Sequence, residues 1–501
     1  MSGIFKKIES LVEKGKEAHA KTWHNWAGNI VLEPELIFHP KSLNDLQEIV
    51  KKAKKHGKKI RCVSEGHSWS TLSVTKDYLV IVRDMHQIQV EKSEKYGWTI
   101  TAEAGATIKQ MDDKLRQHKP PLSFDSMTVL SSVRASGIVA TGSHGAKCAG
   151  ASISDQVVKL QIVTGDGELH VFSDENDPKE MSAARINLGL LGIMYKITWH
   201  VQPLFKLRMI DFQPPIKSWL YPATLKEFVE KSDSVEVFYW PFNESELDRN
   251  DDKLWVKQWL RTDDPITTSQ AELGMERVCE DLETRFGDKL YQFIVKCPES
   301  TPYITNLLWK AGPVSKPQNV VIPAPDAIHY QSGIDNILCD DLEFTFKADK
   351  DFANVAEEFN HIVDSVYAYA KKGKFPMNLA AEMRILKASP SLLASGYDED
   401  PNAIYCFIEV LAIRHTSGFE EFSAELATRW MKKYKARPHW AKAWEHVPGI
   451  KPYLREILGK RLETFESVRV KYDADKIFFD NKSLEEVFYG SPKSTFTESH
   501  L

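Results

Sequence analysis

The chain has 501 residues, enough for two large or three ordinary domains, and with 42% hydrophobic and 27% charged residues it has the composition of a folded globular protein. Lys plus Arg total 65 against 70 Asp plus Glu, a net charge of −5, which removes the diffuse positive field that nucleic-acid binding draws on; no nucleic-acid partner is expected. Six cysteines without a C-x-x-C pair argue against a disulfide framework or a zinc site and fit a reducing compartment.

In chain order, the first twenty residues place Ile4, Ile8, Leu11 and Val12 at helical spacing among charges of alternating sign, predicting a solvated surface helix and no signal peptide. Leu36 to Phe38 reads as a short strand. Ser42 with Asp45 three residues on then starts a helix whose apolar face is Leu46, Ile49, Val50 and Ala53, and Gly57 ends it. The lysines between Lys51 and Lys59 lie opposite that face and toward the helix C-terminus, where cations are favoured. Ile60 to Val63 and Tyr78 to Val82 read as further strands, Trp98 to Glu103 as another, and a helix follows from about Thr107. Val157 to Val163, the turn Thr164-Gly165-Asp166-Gly167 and Glu168 to Phe172 read as a hairpin.

Beyond Pro203 the texture changes to aromatic-rich alternating strands, such as Val235 to Trp240 and Leu254 to Leu260, so the expected division is 1–205 and 206–501. A helix at about Phe352 to Lys371 connects strands near Leu342 and at Met377 to Ile385. The longest apolar run, Ala403 to Ile413, is interrupted by Glu409 and falls far short of the roughly 20 residues that span a bilayer; no membrane span is expected. The last residues, Ser499, His500 and Leu501, resemble a peroxisomal address of the Ser-Lys-Leu type. That makes an import receptor a candidate partner and the peroxisome or the cytoplasm the expected location.

Several familiar chemistries lack their motifs. There is no G-x-x-x-x-G-K-[ST] phosphate loop, H-E-x-x-H, EF-hand loop or G-x-S-x-G elbow, and no G-x-G-x-x-G after the first strand. Two small-residue loops remain. Val63 to Ser70 follows a strand and offers consecutive backbone amides with the hydroxyls of Ser64, Ser68 and Ser70, which suits a pyrophosphate. Ser132 to Gly145 is longer and equally short of bulk. Together they could enclose a dinucleotide, although small residues also serve tight turns and helix packing.

On Asn25-Trp26-Ala27-Gly28, Gly66-His67-Ser68, Ala140-Thr141-Gly142-Ser143-His144-Gly145 and Leu188-Gly189…Gly192, the first half resembles the flavin domain of the vanillyl-alcohol-oxidase type. On Glu382-Met383-Arg384 and Arg437-Pro438-His439-Trp440-Ala441-Lys442, the second half resembles the sugar-1,4-lactone oxidases that make ascorbate or its analogues. The resemblance runs from about Trp23 to Phe488. It implies an α+β fold in which a bipartite FAD-binding domain is covered by a cap domain with a large antiparallel sheet, the segment from about 430 to 501 returning to the flavin.

The resemblance further implies FAD bonded covalently to His67, with no metal. Flavin contacts are implied for Val63, Ser64, Glu65, Gly66, His67, Ser68 and Ser70, for Ser132, Ala135, Ser136, Gly137, Thr141, Gly142 and His144, and for Gly192 and Ile193. A carboxylate at Glu65 would repel a pyrophosphate, so its side chain is expected to point away. Where berberine-bridge-type relatives attach the flavin a second time through cysteine, this chain has Ser132-Val133-Arg134, so a single attachment is expected.

Glu382 and Arg384, two apart on a strand, leave the same face and can reach one ligand. Lys442 and His439, three apart, share a face if their stretch is helical. In the related oxidases the lysine lies beside flavin N1 and the C2 carbonyl, and His439 is a candidate acceptor of the hydroxyl proton. The implied reaction is oxidation of a sugar lactone or polyol CH–OH group, hydride passing to flavin N5 and O2 being reduced to H2O2. The rival readings are a dehydrogenase of the same fold using cytochrome c or a quinone, and a flavin-dependent oxidase of a lipophilic natural product, with the cap aromatics as pocket walls.

Overall fold

The computed structural model describes residues 17–19, 22–244, 248–311, 318–331 and 333–490. The expected amphipathic start at Ile4 to Val12 and the tail Ser499-His500-Leu501 lie outside them.

Among the described residues, the N-terminal half carries two main sheets besides two short two-stranded ribbons. In the first, strands Ile60–Val63 and Leu36–Phe38 flank Tyr78–Ile81 in parallel, and Glu17–His19 adds an antiparallel edge. Helix Leu43–His56 covers it for the reasons written in its sequence. Ser42 accepts from the Asp45 amide at 3.2 Å, Leu46, Ile49, Val50 and Ala53 are buried, and Gly57 ends the helix at φ +63°. The second sheet is antiparallel, with Ile193–His200 between Val157–Val163 and Gly97–Glu103, and with Leu169–Ser173 and Ile88–Ser93 at its edges. Thr107 caps helix Ile108–Gln117 through a reciprocal pair of bonds with Gln110.

The segment expected as one long small-residue loop departs from that reading, because Ala135–Thr141 is a helix. Its small residues serve close packing. The Ala135 and Ser136 amides donate to Ala106 and Ala104 carbonyls, and a Cβ at Gly137 would sit 2.6 Å from Ser64 Oγ. Gly142 closes the helix at φ +74°.

The C-terminal half is built on an eight-stranded antiparallel sheet. Its middle strands run Trp255–Thr262, Ser234–Tyr239, Ala380–Lys387, Ile404–Ile413 and Cys339–Lys347, with Arg437–Pro438 at one edge. Alternation divides these strands into two faces. Val235, Val237, Leu342, Phe344, Met383, Ile385, Ile408 and Val410 enter the main core with helices Ala353–Ala370 and Phe419–Tyr434. The opposite face carries Phe238, Asp341, Glu343, Glu382, Arg384, Glu409 and Leu411, and it looks into a cavity.

The chain then returns to the N-terminal half. The Ile60 amide donates to Ile477 O at 2.8 Å and the Trp69 amide to Ala441 O at 2.7 Å. Arg61, itself buried, donates to the carbonyls of Leu72, Leu188 and Phe478 at 2.6, 2.7 and 2.9 Å. No helix among the described residues is long and apolar enough to cross a membrane.

Candidate active site

The cavity, of about 660 Å³, lies between the N-terminal loops and the charged face of the large sheet, a size usual for small-molecule and cofactor sites. Val63, Ser64, Glu65, Gly66, His67 and Ser68 line it from the first loop, and Ser136, Gly137, Thr141, His144 and Gly192 from the second half of that wall. Glu382, Arg384, His439 and Lys442 line it from the other side.

The other residues expected at the flavin do not line the cavity. Ser70 is fully buried, with its Oγ 3.2 Å from that of Ser68. Ser132, exposed to solvent, donates to Asp335 at 2.7 Å. Ala135 and Ile193 are fully buried in the core, and Gly142 terminates its helix against Ile186.

The wall opposite the loops is a register of like charges. Glu382 stands directly opposite Glu409, and Glu409 opposite Glu343, across three adjacent strands. Carboxylates so placed repel one another, and the structure answers with two cations. Arg384 Nε lies 2.5 Å from Glu382 Oε1 and 3.1 Å from Glu236 Oε1. Lys442 donates to Asp341, and to Glu409 at 2.5 Å, while its ammonium sits 4.8 Å from the Trp69 ring centre.

Burial alone would lower the Lys442 ammonium, but Asp341, Glu409 and Glu343 outweigh it and raise it well above its ordinary value. It is a permanent cation. Burial, reinforced by Glu409, pushes Asp341 far above the usual carboxylate range despite Lys442, and burial does the same to Glu382 despite Arg384. Glu409 and Glu343 go the other way. Burial opposes it, yet Lys442 holds Glu409 below its usual value, and His144 leads the charges that do so for Glu343. Around the two cations, carboxyls of raised and of lowered proton affinity therefore alternate.

His439 and Lys442 do not share a helical face. Pro438 pairs with Phe344 in the sheet and the His439 amide donates to Glu343 O at 3.0 Å, so the chain is extended there. A tight turn, with the Lys442 amide bonded to His439 O at 3.1 Å, brings both side chains to the cavity instead. Burial drops the His439 imidazole to about 4, so it is neutral. Its Nδ1 accepts from the Ala441 amide at 3.2 Å, which places the ring hydrogen on Nε2.

Glu65 is neutralised in place. Its carboxylate takes Arg134 Nε and, at 3.3 Å, Arg83, while Arg134 also donates to Gly105 O at 2.6 Å. The amides of Glu65, Gly66, His67 and Ser68 donate to no acceptor among the described residues. Gly66 has φ +76°, and the missing Cβ at Gly137 keeps the helix against the loop. A run of free amides on a wall closed by a small-residue helix is the donor set a dinucleotide pyrophosphate requires, so the residues present fit FAD.

The reading of the sequence omitted Asp341, Glu343, Glu409 and Asp335 from the site. The first two carried a signal, being carboxylates that alternate with the apolar Leu342, Phe344 and Phe346 along one strand.

Fold and site together define a flavin-dependent oxidoreductase: residues 34–173 match the FAD-binding domain family. Residues 197–487, more than half the chain, match the D-arabinono-1,4-lactone oxidase family, and the chain belongs to that family. It is 24% identical over 460 residues to an L-gulono-1,4-lactone dehydrogenase of Mycobacterium tuberculosis, spanning 92% of this chain and 97% of that one. It is likewise 24% identical over 491 residues to an L-gulonolactone oxidase of Scyliorhinus torazame, spanning 93% and 98%. Among solved structures, cholesterol oxidase from B. sterolicum superposes with a TM-score of 0.78 at 20% identity, covering 95% of this chain and 98% of that one; that likeness concerns the fold.

Proposed function

We propose that the protein oxidises the CH–OH group of a sugar lactone or polyol, with dioxygen as the electron acceptor and H2O2 as product, using FAD bonded to His67. The observation that carries this reading is the meeting of Glu382, Arg384 and Lys442 with His67 and the free-amide loop in one cavity. When bound, FAD supplies the two-electron acceptor for the substrate hydride.

The chain's own residues do the rest. Arg384, held between Glu382 and Glu236, presents its remaining N–H groups to substrate oxygens. Glu382 in its ionised form accepts the hydroxyl proton, its raised proton affinity making it a stronger base than an exposed carboxylate. Lys442 supplies a fixed positive charge where negative charge develops. His439, with its hydrogen on Nε2, acts as a donor to the ligand in place of the proton acceptor expected from sequence.

A second reading has its own support. Phe238, Trp240, Trp255, Trp309 and Tyr291 line the cavity beside Glu382, a wall suited to a substrate with an apolar group. Turnover of an aldonolactone and polyol panel against lipophilic alcohols separates the two readings. Peroxide formed in step with substrate loss in air supports the oxidase; turnover that needs an added cytochrome or quinone and yields no peroxide replaces it with a dehydrogenase.

A further inference from the structure

His67 meets a carboxylate that no motif announces. Asp335 sits in the short 3-10 turn Ile334–Asn336, ahead of strand Cys339–Lys347 of the large sheet. Its Oδ1 lies 3.2 Å from His67 Nε2, and its Oδ2 accepts from Ser132 Oγ at 2.7 Å. Trp26 stacks on the imidazole, with ring centres 4.1 Å apart and planes 18° from parallel. Both His67 and Asp335 line the cavity.

Two consequences follow from this geometry. The stack fixes the plane of the ring, and the bond to Asp335 fixes its tautomer, because a carboxylate accepts and so places the hydrogen on Nε2. The lone pair is then on Nδ1, which accepts from no donor among the described residues. Asp335 itself stays ionised: burial works to raise it, but the bonds from His67 and Ser132 hold it below the usual carboxylate range.

We propose that Asp335 is the positioning residue for covalent flavin attachment: it makes His67 Nδ1 the nitrogen that bonds the flavin 8α-methyl carbon, and it stabilises the positive charge the ring acquires. The inference rests on the attachment at His67 proposed above. The step balances with dioxygen as oxidant. One methyl C–H bond is broken and one C–N bond formed, Nε2 gives up its proton, and the two electrons and two protons released reduce O2 to H2O2. A nitrogen that uses its lone pair leaves the imidazole cationic, and a carboxylate already at the other nitrogen stabilises that charge without reorganisation.

The test uses the purified holoprotein and its variants, with flavin assayed in the acid-precipitated pellet and in the supernatant. Wild type should hold its flavin in the pellet, and D335A should release at least ten times more of it to the supernatant. D335N, which keeps an acceptor for Nε2–H but loses the charge, should fall between them. A merely structural role would instead lower total flavin in all fractions and would not be graded between Asn and Ala. Independently of any variant, NMR of the histidyl flavin isolated from wild type should show the bond at Nδ1. Acid-stable flavin in D335A and D335N at the wild-type level, or a bond at Nε2, overturns the inference. If wild type itself releases all its flavin, or H67A retains it in the pellet, the attachment at His67 fails instead.

Discussion

His144 Nε2 lies 2.7 Å from Glu343 Oε1, and both side chains are almost fully shielded, at 4% and 3% exposure. The pair joins the end of the small-residue helix to the middle of the large sheet. His144 Nδ1 faces Gly145 O at 3.0 Å, so both ring nitrogens face acceptors. The contact ties the imidazole to a buried carboxylate that His144 helps to hold below its usual range.

Removing one partner leaves a buried polar group without its hydrogen bond. E343Q or H144Q should each cost about 3–5 kcal/mol of unfolding free energy. Chemical denaturation of the singles and the double variant should give a coupling of about 1 kcal/mol or more; additive losses would disprove the direct interaction.

Glu382 must be ionised to take a proton, and burial raises it well above the ordinary carboxylate range. As pH falls through that raised value, kcat/KM should fall, with a midpoint above that of an exposed glutamate. E382Q should lower kcat by about 10²–10⁴-fold and abolish this acid limb. An unchanged limb in E382Q assigns the titration to another group.

Lys442 is locked between Asp341 and Glu409. K442M should reduce kcat by about 10²–10³-fold with flavin still bound, and should make the flavin harder to reduce in a dye-coupled titration. Wild-type reduction potential in K442M would place the lysine away from the flavin.

The buried neutral His439 makes acid destabilising. Its folded value of about 4 lies below the ordinary 6.5, so its contribution is present above pH 6.5 and is lost as pH falls toward 4, about 3 kcal/mol in all. The difference in unfolding free energy between wild type and H439Q should therefore shrink across that window. A pH-independent difference would mean that the imidazole is solvated.

A methyl group at Gly137 would meet Ser64 Oγ at 2.6 Å, so Ser64 must move to admit it. G137A should lower the ratio of bound flavin to protein by pushing the first loop off the helix. Adding S64G should restore it. Equal loss in the double variant would locate the clash elsewhere.

Much of the local architecture was legible because it is encoded locally. Ser42 with Asp45 and Gly57 bound their helix as written, and the spacing of Glu382 and Arg384 does place them on one face of a strand. The helix Ala135–Thr141 was not legible, since seven residues span too few turns for a periodic stripe and glycine and serine disfavour helices on their own. His439 and Lys442 were rightly paired for the wrong reason: a turn, not helical spacing, brings them together. Asp335 was beyond reach, because its meeting with His67 spans 268 residues and depends wholly on how the two halves dock.

The carbonyls that Arg61 gathers have a bearing on how the molecule is made. Phe478 leaves the ribosome more than 400 residues after the arginine that binds its carbonyl. Until then the guanidinium in the nascent chain either stays hydrated or is enclosed with a donor unmet, so the first sheet cannot reach its finished state during synthesis. A polypeptide stopped at residue 205 would expose that vacancy permanently and be a target for chaperones and proteases, however complete its own strands and helices.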